Sequence, residues 1–493
     1  MVRHGGGLLV AVAGVGAGVG VHGTPVSSPS QNPAVEVDLD WHAPAQTQLN
    51  NLTAVLTTEG VYGFIYNSSD TPDDKYGAYN FCNMPHVRRT EYVVAPSEYE
   101  LVFVEVLHRH HKRTPYASTS FPIEPYTWDC DGQQLFFYGQ TLTSANATAH
   151  PATPAYWKGF TSSRNPFHPS GWHGTCQFPQ ITSPGLADSW QHGADLYEVY
   201  HALLNFLPRR DDPHWRDRVA YRVTANPITS QVAGMVINGM WSTTAAVPLL
   251  IETAAIDSLE PHYPCPAATK RFDAVRTSQA WKEHLTAAEP LFAKLDAVSG
   301  VQRGSSYHDS FDGYFDNLQA RMCHQLPLPC RDGNGCITQD MADAVCRFGN
   351  WEYSRIYRDD KGTFDASAAS FGVWIADLAG HLRTAMDGER EGGLLWFHNV
   401  AHDGTLSRLL SVLQVDQMFW PGMGSEVVFE LFRKRDGEYF VRVLFGGRVF
   451  KSSNPSLGVM DLIPVERLLA YFDGLVGENA SLVAGKCGAG GSS

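Results

Sequence analysis

Positive charge is scarce in this chain. Its 493 residues carry 37 Lys and Arg against 51 Asp and Glu, a formal net charge of −14. Such a surface repels phosphate backbones and anionic lipid, which argues against nucleic acid and membrane surfaces as partners. Charged residues of either sign make up only 18%, while hydrophobic residues make up 43%, so an intrinsically disordered chain is also excluded. Long apolar runs are absent apart from Leu8 to Val21, which is rich in glycine and too short to span a bilayer comfortably. Cysteine shows no metal-binding pattern. None of the nine, Cys82, Cys130, Cys176, Cys265, Cys323, Cys330, Cys336, Cys346 and Cys487, stands in CxxC spacing, which removes zinc-ribbon and thioredoxin-like readings. There are no internal repeats.

What is present points to the secretory pathway. Arg3 and His4 precede the apolar run, and Gly23 with Val21 two residues before it fits a cleavage site, so residues 1–23 are expected to be a signal peptide, with a retained anchor as the alternative. Sequons stand at Asn51, Asn67, Asn146 and Asn479, which predicts a glycoprotein. In an oxidising compartment nine cysteines predict three or four disulfides and at least one thiol left over.

The pattern along the chain predicts an α/β fold: a central sheet flanked by helices, with an inserted, mostly helical cap. Residues 24–90 form a Pro-, Ser- and Gln-rich lead-in. The first part of the core spans 91–247, the cap 248–390, the second part of the core 391–475, and a flexible tail 476–493. Leu101 to Leu107 is nearly all apolar and β-branched or aromatic, as expected for a strand buried on both faces. Helical spacing follows over Leu186–Phe206, a short strand at Tyr221–Thr224 and a helix at Ser230–Met240. Leu394–Phe397 reads as a second core strand, Thr405–Leu413 as a helix capped by Thr405 or Asp403, and Val427–Phe432 with Tyr439–Phe445 as a hairpin.

Two clusters carry chemistry. The first buried strand runs into His108-Arg109-His110-His111-Lys112-Arg113-Thr114-Pro115, at the kind of strand end where α/β crevices open. Guanidinium forks fit phosphate oxygens, and a histidine between two arginines loses basicity and can serve as a neutral nucleophile. The second cluster, Ala401-His402-Asp403-Gly404, also follows a buried strand. An Asp beside a phosphate can hold a proton and give it to a leaving alkoxide. The three histidines at 108, 110 and 111 do not read as a metal site, because neighbours on a strand point to opposite faces and nearby Arg and Lys charges repel a cation. No metal and no cofactor is expected. His168, Trp172 and His173 read as loop packing, His398 and Asn399 as supports of the strand end.

Arg109-His110-x-x-Arg113-x-Pro115 resembles the RHGxRxP signature of the histidine acid phosphatase family, His402-Asp403 resembles its HD signature, and Ile181-Thr182-x-x-Gly185 its LTxxG element. The spacing of Cys323-His324, Cys330 and Gly335-Cys336 is similar to the family's Golgi 2-phosphoxylose phosphatase branch, and the chain as a whole to fungal secreted members carrying RHHKRTP. The resemblance implies a phosphoglycerate mutase-like fold and hydrolysis of a phosphomonoester, such as a sugar phosphate or phosphorylated glycan. His110 would be the nucleophile and Asp403 the proton donor; Arg109, Arg113 and His402 would bind the phosphoryl oxygens. Two positions depart from it. His111 replaces the signature glycine, and Ile228 stands where the family places a third phosphate-binding arginine. Losing one charge-assisted contact of about 1.5–3 kcal/mol costs roughly 10- to 150-fold in rate. His111, Lys112 and Arg222 are candidate auxiliary cations. A catalytically weak pseudophosphatase that binds an anionic or glycan ligand is the alternative, and a phosphotransferase or mutase a third reading. Oligomeric state is left open.

Overall fold

A chain whose apolar residues are arranged as above can bury them only by sandwiching a sheet between helices. The computed structural model describes residues 35–61, 80–124, 126–133, 136–139, 153–160, 162–167, 173–177, 179–388 and 393–488. The signal segment, Asn67, Asn146, His168 and Trp172 lie outside the described residues, and of His173 only the backbone is described. We number the strands of the central sheet β1 (Tyr99–Arg109), β2 (Val219–Val223), β3 (Leu249–Ile251), β4 (Trp396–Ala401), β5 (Glu426–Lys434), β6 (Tyr439–Phe445), β7 (Arg448–Val449) and β8 (Ile463–Pro464). Their spatial order is β7-β6-β5-β1-β4-β2-β3, with β8 beside β6. The β1, β4, β2 and β3 pairs are parallel; β5 and β6 add antiparallel strands on the other side of β1.

β1 is the centre of the sheet, and its residues from Phe103 to Arg109 are all buried. Alternation sends successive side chains to opposite faces. Val104 and Val106 join one apolar cluster with Leu196, Val232 and Val236, which lie on α2 (Ser183–Tyr197) and α3 (Pro227–Trp241), numbered after a short α1 (Leu52–Thr57). Phe103 and Leu107 join the larger core on the other face. Thr182 caps α2, its Oγ1 accepting from the Gly185 amide at 3.4 Å, and Asn226 caps α3 through its Oδ1 and the Ile228 amide at 3.3 Å, as short polar side chains do at a helix start. Gly185 has no room for a side chain, since a Cβ there would stand 2.0 Å from the Lys112 carbonyl oxygen.

The helical segment between β3 and β4 comprises α4 (Pro266–Arg276), α5 (Gln279–Ser299), α6 (Asp312–Cys323), α7 (Gln339–Tyr357), α8 (Lys361–Ser370) and α9 (Gly372–Met386). After β4 come α10 (Asp403–Val412), α11 (Val465–Val476) and a final turn, α12 (Val483–Lys486). Three sequence-based boundaries change. Leu249–Ile251, placed in the cap by composition, is the edge strand of the sheet. The lead-in packs from Glu36 onward: Leu49 and Val55 are buried, and the Trp41 indole donates to the Arg358 carbonyl at 3.2 Å. The tail does not leave the body at 476, because Cys487 is bonded to Cys265; its Gly- and Ser-rich composition hid that one anchor. The other disulfides are Cys82–Cys323, Cys130–Cys176 and Cys330–Cys336. Cys346 is a buried thiol outside these pairs.

Candidate active site

The parallel register of β1 and β4 sets Arg109 opposite Ala401. The pairing continues one step further, with the His110 amide donating to the Ala401 carbonyl at 3.0 Å. The segments that follow the two strands are therefore held side by side, although they lie far apart in sequence. The rings of His110 and His402 stand 5.4 Å apart, centre to centre.

Both line a cavity of about 400 Å³, together with Arg113, Asp403, Arg408 and Trp420. The Nδ1 of His110 lies 3.0 Å from the carbonyl oxygen of His111. A carbonyl only accepts, so Nδ1 carries the proton and Nε2 keeps its lone pair. Burial, reinforced by Arg109, Arg113 and His402, holds the His110 imidazolium well below its ordinary pKa, so the ring is neutral at and below physiological pH.

The guanidiniums are held rigidly. Arg109 reaches Asp403 Oδ2 at 2.8 Å and the Pro421 carbonyl at 2.5 Å. Arg113 reaches Asp316 Oδ1 at 2.9 Å and lies over the Tyr116 ring at 4.2 Å. Each keeps a buried Nε with no hydrogen-bond partner. Unspent donors are costly in a protein interior and are what an oxyanion site requires.

His402 occupies the N-cap position of α10, so the helix begins at Asp403 and neither Thr405 nor Asp403 is the cap. The Nε2 of His402 lies 3.0 Å from Thr224 Oγ1 at the end of β2, and burial pulls the ring down to about 4 against the opposing pull of Asp403. Burial alone would push the Asp403 carboxyl up, but Arg109, the Trp420 indole at 2.7 Å and Arg113 together hold it below the ordinary carboxylate value. Trp420 is itself fixed in a stack between Phe315 and Tyr353, with ring centres 3.8 and 4.0 Å away.

The three candidate auxiliary cations are elsewhere, which corrects the sequence expectation. His111 turns into the protein and meets His192 at 3.1 Å. Lys112 pairs with Asp188 at 2.8 Å. Arg222 is spent on Glu252, Asp377 and Ser258. None of them lines the cavity. The residues that sequence reasoning missed are Arg408 and Trp420, with Glu260, Asp312 and Asp316 on the cavity wall. Arg408 lies on α10 just beyond the His-Asp pair. Its Nη1 donates to the Gly404 carbonyl at 2.9 Å and its Nε to Ser370 Oγ at 3.1 Å.

Ile228 does not face the cavity. It is fully buried in the apolar cluster between α3 and the sheet. Ile228→Arg is therefore expected to bury an unpaired charge and to cost about 3–5 kcal/mol of stability. Urea denaturation would show it as a lowered midpoint. A variant as stable as wild type would mean that the side chain can swing into the cavity.

No family model matches the chain. Human 2-phosphoxylose phosphatase 1 is 25% identical over 398 residues, covering 76% of this chain and 76% of that protein. Bovine prostatic acid phosphatase is 22% identical over 280 residues, covering 54% of this chain and 68% of its own. Among solved structures, Hafnia alvei phytase in complex with tartrate superposes with a TM-score of 0.50 at 13% identity, covering 78% of this chain and 99% of that one, a likeness that shows the fold. Relatives of this kind over most of the chain, this fold, and two signatures brought to one cavity converge: the chain is similar to the histidine acid phosphatases in sequence, fold and site residues.

Proposed function

We propose that this chain hydrolyses a phosphomonoester at acid pH through a phosphohistidine on His110. The observation that carries the reading is the His110 ring: a neutral imidazole, its Nδ1 spent on a carbonyl, in a cavity lined by the Arg113 guanidinium, with the Arg109 guanidinium buried against Asp403 of the same wall. The Nε2 lone pair attacks phosphorus and the P–O bond to the leaving group breaks. Arg109, Arg113 and His402 hold the non-bridging oxygens. Asp403 gives its proton to the leaving oxygen, then takes one from the water that cleaves the P–N bond and releases phosphate. The low carboxyl pKa of the ligand-free site does not oppose this role. An arriving phosphoryl group occupies the guanidiniums that hold Asp403 ionised and adds negative charge beside it, and both effects raise its proton affinity.

The cavity wall supports a substrate class. Glu260, Asp312 and Asp316 line it, and carboxyl groups hydrogen-bond hydroxyls but supply no positive charge for further phosphates. That favours a single phosphate on a hydroxyl-rich group, a sugar phosphate or phosphorylated glycan, over a polyphosphorylated inositol. Four disulfides and exposed sequons at Asn51 and Asn479 support secretion or residence in the secretory pathway and N-glycosylation at those two sites. Among the described residues no helix is long and apolar enough to cross a membrane.

Asp403→Asn is expected to lower kcat by about 10²- to 10⁴-fold on an alkyl or sugar phosphate. The loss should be much smaller on p-nitrophenyl phosphate, whose leaving group needs no proton. Equal losses on both substrates would remove Asp403 as the acid. A second test uses pH. Desolvation in the cavity wall, followed by the nearby Glu352 carboxylate, pushes Asp312 up to about 7, so it is mostly neutral below that pH and mostly charged above it. KM should rise as pH increases through 7, because the new charge repels the phosphoryl dianion, and Asp312→Asn should flatten that rise in a KM–pH profile.

A further inference from the structure

Behind the nucleophile lies a group of side chains that phosphoryl transfer does not use. His108 and His111 flank His110 in sequence, and His192 comes from α2. All three are fully buried, and one ring nitrogen of each lies within 4.8 Å of one from each of the others. Their outward nitrogens are already held. His192 Nε2 lies 2.9 Å from Glu426 Oε2, and His108 Nδ1 lies 2.8 Å from His398 Nε2. A ring that donates outward to a carboxylate keeps a lone pair on its other nitrogen, here Nδ1 of His192. His111 Nε2 meets that atom at 3.1 Å. His108 Nε2 is buried without a hydrogen-bond partner, and so are His111 Nδ1 and His398 Nδ1. Buried polar atoms without a partner within one group of packed side chains call for an occupant. Burial holds His108, His111 and His192 below their ordinary pKa, the neutral form that ligates metal.

The basic residues of the same loop do not oppose a cation. Arg109, Lys112 and Arg113 are each neutralised by a carboxylate, Asp403, Asp188 and Asp316 respectively, and Glu426 supplies a buried negative charge behind His192. A histidine oriented by a carboxylate on its far nitrogen is the usual outer-sphere arrangement of a metal ligand.

We propose that His108, His111 and His192 bind one divalent late-transition ion, Zn²⁺ in the first instance, with Glu426 and His398 as their outer partners. Three imidazoles suit zinc, and ring shifts of about 1 Å bring the nitrogens to the spacing of ligands roughly 2.1 Å from the ion. The ion ties the nucleophile segment of β1 to α2. It lies outside the catalytic cavity and takes no part in the reaction.

The test uses the full chain, purified without nickel resin or chelator. Elemental analysis after gel filtration is expected to find about one zinc per chain. Dialysis against dipicolinate should remove it and lower Tm by several degrees, and ZnCl₂ should restore both. His111→Gly and His192→Gln are each expected to weaken zinc binding at least about tenfold, with circular dichroism reporting whether they fold. If neither variant folds, Co²⁺ added to the metal-depleted wild type decides, because a four-coordinate nitrogen site gives strong visible absorption and a hydrated ion does not. Folded wild type that holds less than a tenth of an equivalent of any transition metal, with a Tm unmoved by ZnCl₂, would overturn the proposal. So would zinc uptake unchanged in both folded variants.

Discussion

The site depends on one pairing: β1 against β4, parallel, with Arg109 opposite Ala401. A slip of one residue would turn every side chain of a strand to the other face. In the observed register both strands are buried on both faces, so a slip would expose the cores of both clusters to the wrong partners. The packing of Val104 and Val106 on one side and Phe103 and Leu107 on the other therefore fixes the chemistry. It sets His110 beside His402, and Arg109 within reach of Asp403. It also sends His108 toward Glu426 on β5, the neighbour across the register.

Charge is managed pair by pair. Over the whole chain acids outnumber bases, yet Arg113 and Arg408 line the cavity, and Arg109 and Arg113 are each tied to a carboxylate of its wall, Asp403 and Asp316. Arg109 illustrates the economy of this. It holds Asp403 ionised while the site is empty, and a phosphoryl group that takes over the arginine leaves Asp403 with a higher proton affinity. In the proposed mechanism the clamp and the acid are thus linked through one ion pair, so that substrate binding itself would prepare the proton donor. Trp420 keeps the carboxylate in position while this happens, being wedged in an aromatic stack that the helical segment supplies.

Much of this was legible in the sequence, and the reasons for the remainder are physical. The uninterrupted apolar run before His108 reads as a buried strand because only a doubly covered strand tolerates it. The two signatures follow strand ends, where crevices open. The auxiliary cations failed because His111, Lys112 and Arg222 each found a nearer partner than the cavity, in His192, Asp188 and Glu252. Arg408, Trp420 and Asp312 could not be found, since two are ordinary helix residues and Trp420 an ordinary loop residue ahead of β5 until the fold carries them to one wall. The histidine group was missed for a related reason. Alternation separates His108 from His110, as expected, but the turn after the strand returns His111 to the side of His108, and His192 arrives from a helix with no signal of its own. At Ile228 the structure explains the residue: the first turn of α3 there serves the apolar core.

The central claim is that His110 is the group that receives phosphate. Its most direct measurement is a rapid quench into alkali of wild-type protein mixed with a ³²P-labelled monoester, followed by peptide mapping. The account predicts base-stable, acid-labile label on the peptide containing His110, formed within the first turnover, and none in His110→Ala. Turnover at the normal rate with no label on that peptide, or label retained in His110→Ala, would contradict it.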